Sequence, residues 1–177
     1  LEKIPWDGLY HILDKITPLA ADCGKLCQKR CCSLREEGQG VYLFPGEEVL
    51  FPGGEDWYTI KEYGPGAGHF TGDRGLMLNC AGSCPRERRP LACRLLPLAP
   101  YMDSEGNLNI ILDSDALFIC PIVRAGDINL LETSFREGAA RIWGELIRSS
   151  VIREGVRCYS ARLDSQNSDP WTRLLGG

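Results

Sequence analysis

Cys80-Ala81-Gly82-Ser83-Cys84-Pro85-Arg86-Glu87-Arg88-Arg89-Pro90-Leu91-Ala92-Cys93-Arg94-Leu95-Leu96-Pro97 is the stretch on which the fold turns. Its three cysteines are too close together for ordinary core positions, and the small residues between Cys80 and Cys84 let a backbone bend tightly around a bound ion. Four arginines, Arg86, Arg88, Arg89 and Arg94, crowd the same segment. Guanidinium groups lower the pKa of neighbouring thiols and offset the negative charge of a thiolate-held metal. Any one of them alone would read equally well as part of a solvated basic turn. Arg89 and Arg94 flank Cys93; because guanidinium stays protonated and only donates, both are expected to act on sulfur by hydrogen bond and not on the ion. No Cys-x-x-Cys is present, which disfavours a thioredoxin-like redox pair.

Upstream lies a second group, Cys23-Gly24-Lys25-Leu26-Cys27-Gln28-Lys29-Arg30-Cys31-Cys32. Thr17-Pro18 reads as an N-cap followed by proline at the first helical position, and predicts a helix from Pro18 to about Arg30. On it Cys23, Cys27 and Cys31 would share a stripe, since residues four apart face the same side. Their sulfurs converge only if that helix ends near Arg30, so that Cys31-Cys32 curls back. A single cysteine on an apolar stripe would be a small buried hydrophobe. Four within ten residues, interleaved with Lys25, Lys29 and Arg30, point to ligation of a thiophilic metal. Cys120, in Ile119-Cys120-Pro121 after a strand-like segment, is a candidate eighth ligand. Cys158 has no cysteine near it and reads as a buried free thiol. His11 sits in the first helix as a structural or exposed residue, and His69, in the glycine-rich loop Gly64 to Gly75, reads as a solvated loop residue, with accessory ligation as the alternative.

The two cysteine groups together resemble the CxxCxxCC-type family of zinc- or iron-chelating domains (YkgJ-like). Members carry a cysteine run ending in an adjacent pair, then Arg-Pro-x-x-Cys-Arg-x-x-Pro. Arg89-Pro90-Leu91-Ala92-Cys93-Arg94-Leu95-Leu96-Pro97 matches the second motif, while Cys23, Cys27 and Cys31-Cys32 depart from the first, with three residues between cysteines in place of two. The resemblance covers roughly Cys23 to Pro97. With the clustering, it implies metal ligation by Cys23, Cys27, Cys31, Cys32, Cys80, Cys84 and Cys93, with Cys120 as the eighth. The same domain type occurs in proteins related to flagellin lysine methylation, an analogy that brings a methyltransferase-associated enzyme into view.

The remaining chain limits what such a site could serve. The chain has 177 residues, enough for one domain over 1–177 with its own core. A net charge of −4 argues against nucleic acid or an anionic membrane as partner, and no apolar run approaches the ~20 residues of a membrane span. The chain opens on Leu1, which reads as a trimmed or processed start. Nine cysteines against two histidines are the unusual feature. A chain this long needs no disulfide staples, and an odd count would leave one thiol over, so thiolate ligation in a reducing cytoplasm is the expectation. Zinc and iron, the latter as an iron–sulfur cluster, both accept four thiolates. No nucleotide-binding loop, Ser/His/Asp set or paired-carboxylate motif stands out, and nothing names a protein partner.

The expected fold class is α+β, mostly helical with short strands, organised around the cysteine sites. Trp6, Leu9, Leu13 and Ile16 predict a first helix. Leu131, Phe135, Ile142, Leu146 and Val151 predict one long helix from about Asp127 to Arg153. Strands are expected at Trp57–Ile60, Leu76–Leu78 and Leu108–Leu112, with turns at Glu36–Gly40 and Asp103–Asn107 and a polar tail broken at Asp169-Pro170. Three roles follow: a metal-binding protein held together by its site, an iron–sulfur oxidoreductase or methyltransferase-associated enzyme, and a metal chaperone or sensor.

Overall fold

Phe135, Ala139, Ile142 and Leu146 recur at helical spacing, and none is measurably exposed. That stripe lays one helix against the main core. In the computed structural model the described residues are 4–33, 40–64, 68, 70, 72, 74–82 and 84–168. His69, the turn at 36–39 and the Asp169-Pro170 break lie outside them.

The chain runs through α1 (Trp6–Ile12), α2 (Gly24–Cys27), α3 (Arg30–Ser33), β1 (Val41–Tyr42), β2 (Tyr58–Tyr63) and β3 (Gly75–Cys80). It continues through α4 (Leu91–Leu95), β4 (Leu98–Met102), β5 (Leu108–Leu112), α5 (Pro121–Ala125), α6 (Thr133–Leu146) and α7 (Ser150–Ser168). Among the described residues this is an α+β fold of seven helices and two small antiparallel sheets, one ordered β1-β3-β2 and the other pairing β4 with β5. The helices α1, α4, α6 and α7 meet in the main core around Leu9, Leu91, Phe135, Ile142 and Val156. The three-stranded sheet buries Leu43, Phe51, Tyr58, Leu76 and Leu78 in a second cluster. No helix among the described residues is long and apolar enough to cross a membrane.

Two expected helices are broken, each for a local reason. The stretch from Pro18 to Arg30 is not one helix. The Thr17 hydroxyl donates to Leu19 O in a tight turn, and the Pro18 carbonyl is taken by the N–H of Glu132 at 2.9 Å. Only the single turn of α2 forms, started by Asp22, whose carboxylate accepts the Gly24 N–H at 3.0 Å. Gln28 and Lys29 then adopt φ of 54° and 57° and end it. The expected helix from Asp127 to Arg153 also divides. Asp127 caps a 3-10 turn by accepting the Asn129 N–H, α6 starts at Thr133, and the chain tightens after Leu146 before α7 begins at Ser150. The bend lets a second stripe, Ile152, Val156, Tyr159 and Leu163, reach the cores and prolongs helix to Ser168.

The strand at Leu108–Leu112 and the turn before it are as expected, with Asp103 accepting the N–H groups of Glu105 and Asn107. β4, for which the sequence carries no strand signal, pairs with β5, and its edge is fixed by Ser160, whose hydroxyl accepts the Met102 N–H at 2.8 Å. The segment before Cys120 is a 3-10 turn at Ser114–Ala116 and not a strand. Cys158 is exposed, not buried, because it sits on the face of α7 opposite Val156, Tyr159 and Leu163.

Candidate metal centre

The two left-handed residues that end α2 are what fold the first cysteine group. Non-glycine residues in this region cost about 1–2 kcal/mol each, and such strain persists where the surroundings over-determine it. Here Gln28 and Lys29 both direct their N–H groups at Gly24 O, the latter at 2.9 Å, and Cys32 N–H bonds Lys29 O at 2.7 Å. The chain reverses within two residues, and α3 carries Cys31 and Cys32 back toward Cys23 and Cys27. The Cys27 thiol points at Cys23 O, 3.7 Å away. The reversal comes before Arg30, sooner than the helix end expected from the sequence. Gly24 makes room for it: a Cβ there would lie 2.9 Å from Lys29 Cγ.

α4 supplies the opposite wall. Pro90 opens it, Leu91 and Leu95 are buried in the main core, and Cys93 faces the other way. Cys120 arrives from the residue just before α5, where Pro121 takes the first helical position. Six thiols from three separate parts of the chain, Cys23, Cys27, Cys31, Cys32, Cys93 and Cys120, therefore line one cavity of about 280 Å³. All nine cysteines are free thiols.

The electrostatics of this wall are those of like charges held close. Burial pushes the Cys23 thiol above its ordinary pKa, and Cys27, Asp22 and Cys120 add to it while Arg89 opposes them. Cys31 is pushed up by its hydrogen bond with Cys32, by burial, and by the nearby Cys32, Cys27 and Cys93 sulfurs. Cys23 and Cys31 therefore resist ionising, and a cation beside them would favour their thiolates. Among the described residues no three His, Cys, Asp or Glu side chains are drawn in closely enough to hold an ion as they stand. They share a cavity without meeting at a point.

Cys84 lies just outside this lining and is joined to it through Arg89. Burial works against the Arg89 charge, but its hydrogen bond to the Cys84 sulfur and the proximity of Cys32 and Cys93 outweigh that and hold its pKa above the ordinary value. Arg89 Nε is buried with no hydrogen-bond partner. Cys80 is placed elsewhere, at the end of β3 opposite Tyr58 and packed against the second core cluster. Its neighbour in the motif does not bring it to the cavity.

Arg94 differs from the sequence expectation in where its donors go. It is 9% exposed, and its five N–H groups are matched by Arg89 O, Tyr10 O, Asp14 Oδ1, Arg86 O and Glu87 O at 2.7–3.2 Å. Its guanidinium also stacks 4.5 Å from the Tyr10 ring centroid. No donor remains for a sulfur, so Arg94 moulds the 86–89 loop that presents Arg89.

Glu47 belongs to no sequence motif. It is fully buried and accepts hydrogen bonds from the Tyr10 hydroxyl, the Phe44 N–H and the Leu91 N–H. Burial pushes its carboxyl up, and those three donors pull the other way. A glutamate between Phe44-Pro45-Gly46 and Val49-Leu50-Phe51 was the available signal, since apolar flanks on both sides place its backbone near a core.

His11 is exposed on α1 and pairs with Asp14. No family model, curated protein or solved structure matches this chain.

Proposed function

We propose that this chain is a metal-binding protein whose cysteine cavity holds zinc or an iron–sulfur cluster. The observation that carries the reading is the gathering of six thiols, remote in sequence, around one cavity. Thiophilic metals require such donor sets, and thiols that raise one another's pKa are stabilised by a cation among them. The motif resemblance of Arg89 to Pro97 supports the same conclusion. Cys23, Cys27, Cys31, Cys32, Cys93 and Cys120 are the ligand pool, and Arg89 is the charge-compensating neighbour, with Cys84 beside it. Bound there, the metal would supply either folding energy, as closed structural zinc does, or electron transfer, as iron–sulfur clusters do. A structural zinc site and an iron–sulfur cluster each take four thiolates, and this pool can supply them to either. Closing the thiols on the metal couples binding to the order of this region.

Metal analysis and visible spectroscopy of anaerobically purified protein test this. Brown protein whose absorbance bleaches in air identifies iron–sulfur, and colourless protein with stoichiometric zinc identifies a zinc site. Protein that carries neither metal and takes up neither defeats the proposal.

A further inference from the structure

The cysteine cavity has a second wall that a metal would not use. Leu26, Ile119 and Ile122 line the cavity together with the thiols, and Leu26 is 61% exposed. Phe118, adjoining Ile119, is 84% exposed. Metal bonds draw on the sulfurs and leave Leu26 exposed at the cavity. The cavity's roughly 280 Å³ also far exceeds the ~30 Å³ that one water occupies in the liquid, so there is space for more than an ion.

The charges on the lining are divided in a telling way. Arg94 is consumed by backbone oxygens and Asp14, and Arg89 bonds Cys84 while its Nε is buried. Arg86 donates to the Asp14 and Ile16 carbonyls. Lys29 remains. Its stem is laid across Gly24 by the left-handed backbone, within 2.9 Å of where a Cβ would stand, and its ammonium has no ion pair among the described residues. Asp22 is the one carboxylate on the lining, and it accepts the Gly24 N–H.

We propose that the cavity binds, beside the metal, a small organic anion with an apolar body, its carboxylate on Lys29 and its chain against Leu26, Ile119 and Ile122. The inference rests on the metal reading, in which the sulfurs are occupied and the apolar wall is left for a second ligand. A cationic head between apolar groups recognises this chemistry, because the ammonium offers charge-assisted hydrogen bonds while the methyl groups bury the body.

Hexanoate is the probe, titrated calorimetrically into the metal-bearing full chain, with acetate and hexylamine as controls for the apolar body and the charge. Metal content is measured on the same samples. One hexanoate is expected per chain, bound at least about tenfold more tightly than either control. Lys29→Gln removes the charge while installing the residue type that already adopts the same left-handed backbone at Gln28, and Leu26→Glu adds a repelling charge; both positions are exposed. In samples matched for measured metal content, each should weaken hexanoate about tenfold or more. Metal-bearing protein that shows no saturable hexanoate binding, that binds hexylamine as well, or whose binding either variant leaves unchanged overturns the inference. Hexanoate binding to protein that purifies and remains without metal would sink the metal reading and leave the anion site standing.

Discussion

Glu47 Oε1 accepts the backbone N–H of Leu91 at 2.7 Å, and so pins the first turn of the helix that carries Cys93. The same carboxylate holds Tyr10 of α1 and the backbone of Phe44. One buried side chain thus joins three parts of the chain behind the cysteine wall. Removing it leaves three buried donors unpaired, each costing about 1–3 kcal/mol. Glu47→Ala is expected to lower unfolding free energy by roughly 3–5 kcal/mol. Glu47→Gln, which puts an NH2 group where one donor needs an oxygen, should cost roughly 1–3 kcal/mol. Urea denaturation of both variants measures this, and a silent Glu47→Ala would remove the carboxylate from that role.

The two motif arginines should separate cleanly. Arg94→Ala strands the carbonyls and the Asp14 carboxylate that it now satisfies, and should destabilise the fold by roughly 3–5 kcal/mol. Arg89→Ala removes a donor to sulfur, a change that typically weakens metal binding about 10–100-fold. Its effect on stability of the metal-free protein should be the smaller of the two. Chelator competition together with urea denaturation distinguishes them, and a reversed pattern would contradict the assignment.

Acid should act partly through Asp14. The Arg94 hydrogen bond, followed by that of His11, holds its carboxyl below the usual carboxylate range. A carboxyl with a folded pKa below its unfolded value contributes stability above about pH 4, and loses it as pH falls through the folded pKa. Asp14 is 39% exposed, so screening reduces the contribution to about 0.5–1 kcal/mol. Asp14→Asn should therefore be less stable than the wild type by that amount at pH 6, and the two should converge below pH 3. Glu47 is present in both proteins and cancels from the difference. A gap that stays constant down to pH 2 would mean the ion pair is not its source.

Metal removal should loosen the chain unevenly. The region from Cys23 to Pro97 contains short helices, 3-10 turns and a strained reversal, whereas α6 buries Phe135, Ala139, Ile142 and Leu146 in the main core. Amide exchange should rise in α2, α3 and α4 on chelation well before it rises in α6. Equal loss of protection in both regions would count against metal-dependent order.

Much of this arrangement was legible in the sequence, and the illegible parts share a cause. The α+β class, the first helix, the strand at Leu108–Leu112 and the clustering of Cys23 to Cys32 follow from period and spacing. The reversal at Gln28-Lys29 does not, because neither residue type favours a left-handed backbone, although both N–H groups bond Gly24 O there. The break between Leu146 and Ser150 escapes for a similar reason: Val151 continues the apolar period across it, so periodicity alone reads one helix. Cys80 and Cys84 look alike in sequence, yet pairing of β3 with β2 carries Cys80 into the sheet cluster and leaves Cys84 at Arg89. Arg89 and Arg94 are separated by the direction of α4, which no motif records.

Metal content across single cysteine variants tests the central claim most directly. Each variant is purified anaerobically and its bound zinc, iron and sulfide are measured per chain. Cys31→Ser, Cys93→Ser and Cys120→Ser, which alter three separate parts of the cavity wall, should each lose most of the bound metal or hold it measurably less tightly. Cys80→Ser, in the sheet cluster, and Cys158→Ser, exposed on α7, should keep the wild-type amount. Full metal retention in all three cavity variants, or loss confined to Cys80→Ser and Cys158→Ser, would contradict the account.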